Sequence, residues 1–94
     1  MNIAPTKNGI IYNNNGKGDF LSVKQLIMIQ NVCDWIEKSS VKSSFNYQQY
    51  RGVSKKLAEK ELYIACLKGF VKKEGRFYIG HNVSGFKNLF SLEG

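Results

Sequence analysis

Apolar residues recur at helical spacing over residues 22–38, which predicts the longest helix of the chain. Ser22 followed by Gln25 is a capping-box signature that starts this helix, and the pair Ser39-Ser40 ends it. Its apolar positions form two stripes around one axis: Leu26, Ile29, Cys33 and Ile36, and then Met28, Val32 and Trp35. A helix with two apolar stripes is either central in the fold or shared with a second subunit. In so short a chain the pattern favours the subunit interface.

Another helix, the third in chain order, is predicted over residues 54–68, because apolar residues again recur every three or four positions. Ser54 caps its start, and Gly69 supplies the left-handed conformation that closes a helix. The expected buried face consists of Leu57, Ala58, Leu62, Ala65 and Cys66. Tyr63 is expected to pack in the core or in an interface, with a nucleic-acid groove as the alternative.

A shorter helix is predicted between these two, over residues 45–51, with Ser44 or Asn46 as its cap. Its aromatic residues are expected to anchor it in the core: Phe45, Tyr47 and Tyr50. The alternative is that Tyr47 or Gln48 faces a phosphate group. The second and third helices would then be joined by a very short turn.

A β-hairpin is predicted from Phe70–Lys73 and Arg76–Ile79, which are rich in aromatic and β-branched residues and flank the turn residues Glu74-Gly75. Val41 is a candidate for a very short strand. A final helix is expected over residues 85–92, with three residues on its apolar side: Phe86, Leu89 and Phe90.

The N-terminal stretch is dense in glycine and asparagine, which predicts turns and loops. Only Ile10-Ile11-Tyr12 suggests a short strand. We therefore divide the chain into an N-terminal arm, residues 1–21, and a domain, residues 22–94. The arm is expected to pack loosely on the surface, or else to contact DNA or a partner subunit.

The composition favours a polyanionic partner, because the 94-residue chain carries a net charge of +7 and has a pI near 9.5. Charge alone does not distinguish DNA, RNA and anionic lipid. No apolar run is long enough to span a membrane, and no signal peptide is visible. These features favour a cytoplasmic protein in which Cys33 and Cys66 are buried thiols rather than a disulfide.

Basic residues concentrate on the third helix and the hairpin. Residues 51–76 hold eight lysines and arginines against three glutamates. Lys55 and Lys56 lie in the first helical turn, where the helix dipole disfavours positive charge, so a nearby phosphate would explain them. The candidate DNA-binding residues are Arg51, Ser54, Lys55, Lys56 and Lys60 in or beside this helix, and Lys72, Lys73 and Arg76 on the hairpin.

The segments Gly52-Val53-Ser54 and Gly69-Phe70-Val71-Lys72-Lys73 resemble the winged-helix regulators of the MarR and ArsR types. The resemblance implies an α+β winged helix-turn-helix: a three-helix core, a β-hairpin wing and a C-terminal helix, in a dimer. The chain is also similar to the TubR group of plasmid and phage partition adaptors in its size, its basicity and its two-faced first helix. It shares with them an abundance of lysine, asparagine, isoleucine and tyrosine, whose codons are rich in A and T. That similarity implies binding to repeated double-stranded DNA sites and recruitment of a filament-forming NTPase.

Two functions are therefore expected as alternatives. The first is a DNA-binding protein of a plasmid or phage, acting as a repressor or a partition adaptor. The second is a protein-interaction module on a winged-helix scaffold, whose basic face binds an acidic protein. In either case a homodimer is expected, with contacts from Met28, Val32, Trp35, Phe86, Leu89 and Phe90.

Catalysis has little support in the sequence. His81 has no cysteine or carboxylate partner at metal-ligand spacing, and Gly16-Lys17-Gly18 lacks the spacing of a phosphate-binding loop. No enzyme activity, cofactor or metal is therefore expected.

Overall fold

Two antiparallel β-sheets and a set of helices share one core in the part of the chain that the computed structural model describes, residues 3–14 and 17–89. The elements are β1 (Ile3–Thr6), β2 (Gly9–Asn14), β3 (Lys17–Ser22), α1 (Val23–Lys38), α2 (Ser44–Arg51), α3 (Lys55–Leu67), β4 (Val71–Glu74), β5 (Phe77–Gly80) and α4 (Val83–Asn88). The α+β class and the first three helices are confirmed. None of the described helices combines the length and the hydropathy that a membrane crossing requires.

The N-terminal stretch forms a three-stranded antiparallel sheet, β1-β2-β3, in place of the predicted loose arm. Its inner face contributes Tyr12 and Leu21 to the core. Gly9 is required where β2 lies against β3, because a Cβ atom there would lie 2.0 Å from the carbonyl oxygen of Leu21. The glycines and asparagines that suggested a loop are also the residues that connect short strands tightly.

Helix α1 is central in the fold, and this corrects the assignment of its second stripe to a subunit interface. It starts at the predicted Ser22–Gln25 capping box and contacts α2, α3, β2, β3 and β5. Both stripes are needed because the helix packs on two sides within one chain. Five of the six predicted interface residues are buried in this core: Met28, Val32, Trp35, Phe86 and Leu89. The sixth, Phe90, lies outside the described residues.

Helix α2 is fixed to α1 by an asparagine that the sequence suggested as a cap. Ser43, rather than Ser44 or Asn46, caps the helix by accepting a hydrogen bond from the backbone N–H of Asn46. The Asn46 side-chain Oδ1 instead accepts from the indole Nε1 of Trp35 at 2.8 Å and from the hydroxyl of Ser39 at 3.2 Å. The buried indole is thereby satisfied, as a buried donor must be.

Only one of the three aromatic residues of α2 is a core anchor. Tyr47 is fully buried and packs edge-to-face on Trp35, with 4.9 Å between ring centroids. Phe45 and Tyr50 are exposed, so their assignment to the core is wrong. The helix is short, and its remaining aromatic surface is left available to solvent.

A buried carboxylate joins α2 to α3. Glu61 is 2% exposed and accepts a hydrogen bond from the Tyr47 hydroxyl at 2.5 Å. Arg51 donates to the same carboxylate from Nε and Nη2, each at 2.8 Å. Burial raises the pKa of Glu61, but the hydrogen bonds from Arg51 and Tyr47 and the Arg51 charge outweigh it and leave the pKa lowered.

The hairpin follows Gly69, whose φ of +83° confirms the predicted left-handed helix stop. Strands β4 and β5 pair with Glu74 opposite Phe77, so the turn lies at Gly75 and Arg76, one residue later than predicted. Gly75 has a φ of +64°, which a glycine adopts without strain. A third strand-like contact comes from an isolated bridge between Ser43 and Phe77, close to the predicted strand residue Val41.

Two further predictions concern the bounds of the final helix and the state of the two cysteines. Helix α4 begins at Val83, earlier than predicted, and the part of that prediction beyond Leu89 lies outside the described residues. Cys33 is buried and Cys66 half-buried, and both are free thiols. Burial raises the pKa of Cys33 to about 12, with the nearby Asp34 charge adding to the effect.

We expect Glu61→Ala to destabilise the fold by about 3 kcal/mol, because it leaves the Arg51 charge and the buried Tyr47 hydroxyl without their partner. The free energy of unfolding in urea measures this loss. Glu59→Ala on the same helix is the matched control, since Glu59 is exposed, and it should change stability by less than about 0.5 kcal/mol. Equal losses for the two variants would contradict the role given to Glu61.

The same carboxylate predicts a loss of stability in acid. The pKa of Glu61 in the folded chain lies below its ordinary value of 4.5, so its contribution is complete above that value. The contribution is lost as the pH falls through the lower folded-state pKa. We expect the unfolding free energies of the parent and Glu61→Gln to approach each other as the pH falls below 4.5. Parallel curves over this range would show that Glu61 is not responsible.

Candidate nucleic-acid interface

The N-terminal turn of α3 is positioned by a tight connection and a serine cap. Gly52 ends α2 in the left-handed conformation, with a φ of +66°, and the Ser54 hydroxyl accepts from the backbone N–H of Leu57 at 3.2 Å. The first turn holds no acidic residue. Lys55 and Lys56 are exposed there, so the positive end of the helix dipole and two positive side chains project from one place.

Four basic side chains of this region form no hydrogen bond or ion pair with any residue that the structure describes. Lys55, Lys56 and Lys60 on α3 and Arg76 at the hairpin turn are exposed, and none forms a hydrogen bond or ion pair with another described residue. Burial and pairing within the fold therefore do not account for them. They leave a positively charged surface that extends from α3 to the hairpin.

Other basic residues of the chain are engaged in structural contacts. The fork of Arg51, which was predicted to approach a DNA backbone, is bound to Glu61. Lys68 donates to Asp19 Oδ1 at 3.0 Å and to the carbonyl oxygen of Phe20 at 3.2 Å, which ties α3 to the N-terminal sheet. Arg51 is thus engaged within the fold, unlike the candidate DNA-binding residues of α3.

The two lysines of the hairpin point to different faces. Lys73 lies with its Nζ 5.8 Å from the centre of the Tyr78 ring, on the side that faces α3. Lys72 is on the other face, with its Nζ 3.9 Å from Oε2 of Glu74. The side chains of Lys72 and Glu74 are each more than half exposed. An exposed pair of this length contributes little stability, so Lys72 is available to another anion.

Two shallow grooves adjoin α3 and share Ser44 and Glu59. One, of about 400 Å³, lies between α2 and the start of α3, and the other, of about 300 Å³, lies between α3 and the hairpin. Their lining residues also include Phe45, Gln48 and Lys55 in the first, and Tyr63, Cys66, Lys73 and Tyr78 in the second. Two of the predicted site residues, Lys55 and Lys73, therefore line these grooves.

Tyr63 and Glu59 also belong to this surface. Tyr63 is 62% exposed on α3, which excludes the core and leaves an interface or a nucleic-acid groove, the other two places predicted for it. Glu59 was not a candidate because an acidic residue does not suggest a nucleic-acid site. The signal that could have found Glu59 is helical spacing, since it lies four residues after Lys55 and four residues before Tyr63.

Comparison with known proteins identifies no relative: no protein-family model, no curated protein and no solved structure matches this chain. The function is accordingly inferred from the residues of α2, α3 and the hairpin, and from their charges.

Proposed function

We propose that this protein binds double-stranded DNA as a winged helix-turn-helix. In this proposal α3 enters the major groove, and the β4–β5 hairpin acts as the wing against the flanking backbone or minor groove. The observation that carries the proposal is the set of exposed, unpaired cations on these two elements: Lys55, Lys56, Lys60 and Arg76.

The order and the sizes of the elements support this arrangement. Helices α2 and α3 are joined by a short turn, and a two-stranded hairpin follows α3 directly. The major groove, which is roughly 12 Å wide, admits one α-helix. Residues in the N-terminal turn of such a helix lie closest to base edges and phosphates. Phosphates there would compensate the unfavourable placement of Lys55 and Lys56.

The proposed contacts are mainly to phosphates. Lysine is a flexible point charge, whereas bidentate recognition of a base favours the planar fork of arginine. Because the Arg51 fork is engaged by Glu61, Arg76 is the arginine left for such recognition. One protomer should therefore discriminate weakly between sequences, and repeated sites or DNA shape would add specificity.

Two biological roles depend on this binding, transcriptional repression and DNA partition. Both use a small protein that occupies repeated sites, and a partition adaptor in addition recruits a filament-forming NTPase. A gene for such an NTPase beside the gene for this protein would favour the partition role. An isolated gene whose own promoter carries the bound sites would favour repression.

We expect Lys55→Ala/Lys56→Ala to weaken binding to all DNA sequences without unfolding the protein, because both side chains are exposed and unpaired. The slope of log affinity against log salt should fall by about 2 per protomer. Titration of fluorescent duplexes at several salt concentrations measures it. A parent dimer that contacts roughly 6–10 phosphates should lose about 10³–10⁵ in affinity between about 50 and about 200 mM salt.

The matched control is Lys24→Ala/Lys38→Ala, which removes the same charge from exposed positions on α1. It should leave the salt slope close to that of the parent. If the Lys55/Lys56 variant keeps the parent's affinity and slope, α3 is not the contact surface, and a function in protein binding gains support.

We also propose that the protein is a homodimer, but with contact residues other than those predicted. Val23 and Ile27 on α1 are 53% and 59% exposed and lie four residues apart, on one side of the helix. Phe20, at the end of β3 that runs into α1, is also exposed. These side chains form the apolar surface proposed for contact between copies.

We expect Ile27→Lys to convert the dimer to a monomer, because it places a charge in the proposed contact. Sedimentation velocity over a range of protein concentrations gives the mass of each species. Leu67→Lys, at an exposed apolar position on α3, is the control and should remain dimeric. A parent that sediments as a monomer throughout would contradict dimerisation, and a dimeric Ile27→Lys would contradict the choice of surface.

A second candidate function, binding of an acidic protein, is supported by exposed aromatic residues. Phe45 is 64% exposed and lines the groove that holds Lys55, and Tyr63 lines the groove that holds Lys73. Aromatic residues are enriched in the central contacts of protein interfaces. The DNA titrations above distinguish the two functions, since the second predicts no binding to duplexes at moderate salt.

A further inference from the structure

Glu59 lies among the cations of α3 without pairing with any of them. Its side chain is exposed and borders both grooves beside the helix. Within residues 3–14 and 17–89 it forms no hydrogen bond and no ion pair, although Lys55 precedes it by one helical turn. The carboxylate is therefore available to a bound molecule.

A structural role does not account for this residue. A lysine that precedes a glutamate by four residues is the less favourable orientation for a helix ion pair, and this pair is not formed. On a surface that meets DNA, a carboxylate also repels phosphates, which weakens binding to every sequence. A negative charge on this surface is useful only where it meets a hydrogen-bond donor that some DNA sequences present and others do not.

Base edges in the major groove offer such a group. Carboxylates accept a hydrogen bond from the N4 amino group of cytosine. Glu59 lies in the middle of the exposed face of α3, with Lys55 and Lys56 one turn before it and Tyr63 one turn after it. If the N-terminal part of α3 lies in the major groove, Glu59, one turn into the helix, is within reach of base edges, while Lys55 and Lys56 reach phosphates.

We infer that Glu59 is a specificity-determining residue, whose carboxylate selects cytosine at one position of each half-site. The inference rests on the proposed binding of DNA and deepens it by naming the base that α3 reads. Recognition of cytosine by a carboxylate requires no arginine. This agrees with the structure, in which the Arg51 guanidinium is already bound to Glu61.

The test is selection of bound duplexes from a random double-stranded pool by the full chain, followed by sequencing. The parent should enrich cytosine at one position by about fivefold or more. Glu59→Gln should lose that enrichment or exchange it for adenine, since glutamine pairs with the adenine edge. It should also bind the unselected pool more tightly, because a repulsive charge is removed.

The matched control is Glu74→Gln, which removes the same charge from the exposed hairpin. It should keep the cytosine preference of the parent. Thermal unfolding checks that both variants fold. If Glu59→Gln selects the same cytosine as the parent, the inference is overturned while DNA binding stands. If the parent retains no duplex from the pool, both the inference and the proposed function are overturned.

Discussion

The buried carboxylate of Glu61 fixes the orientation of α3 against α2, and with it the contacts proposed between α3 and DNA. Tyr47 and Arg51 reach it from α2, so the two helices are joined by directional bonds as well as by apolar contacts. Apolar packing tolerates small rotations, whereas three hydrogen bonds to one carboxylate do not. Because burying charge is costly, the cluster is better understood as a device that sets the angle between α2 and α3 than as a source of net stability.

The basic residues divide into paired and unpaired groups because burying a charge is costly unless it has an acidic partner. Arg51 and Lys68 are partly buried and have acidic partners, Glu61 and Asp19, within the fold. Within residues 51–76, the cations that form no hydrogen bond or ion pair with a described residue lie on exposed positions of the hairpin and of α3. Net charge therefore overstates the charge available to a partner, and the distinction depends on tertiary contacts that composition does not contain. A salt dependence calculated from all basic residues of the region would be too steep.

Local signals in the sequence were sufficient for the first three helices and for the strands of the hairpin. Ser22 and Ser54 cap helices where expected, and Gly69 ends α3, because caps depend on neighbouring residues alone. The two stripes of α1 were ambiguous, since a central helix and an interface helix have the same pattern. Burial of Glu61 had no local signal at all, as its partners are 10 and 14 residues away.

The N-terminal sheet was the largest structural feature that the sequence did not predict. The placement of the β4–β5 hairpin against α3 depends on this sheet. Tyr12 of β2 stacks on Phe70, with 6.1 Å between ring centroids, at the junction of α3 and β4. Phe70 in turn packs edge-to-face on Phe86 of α4, at 5.0 Å. The junction that sets the hairpin against α3 is thus held from the sheet and from α4. A chain of this length has a small core, so residues remote from the cations determine where those cations lie.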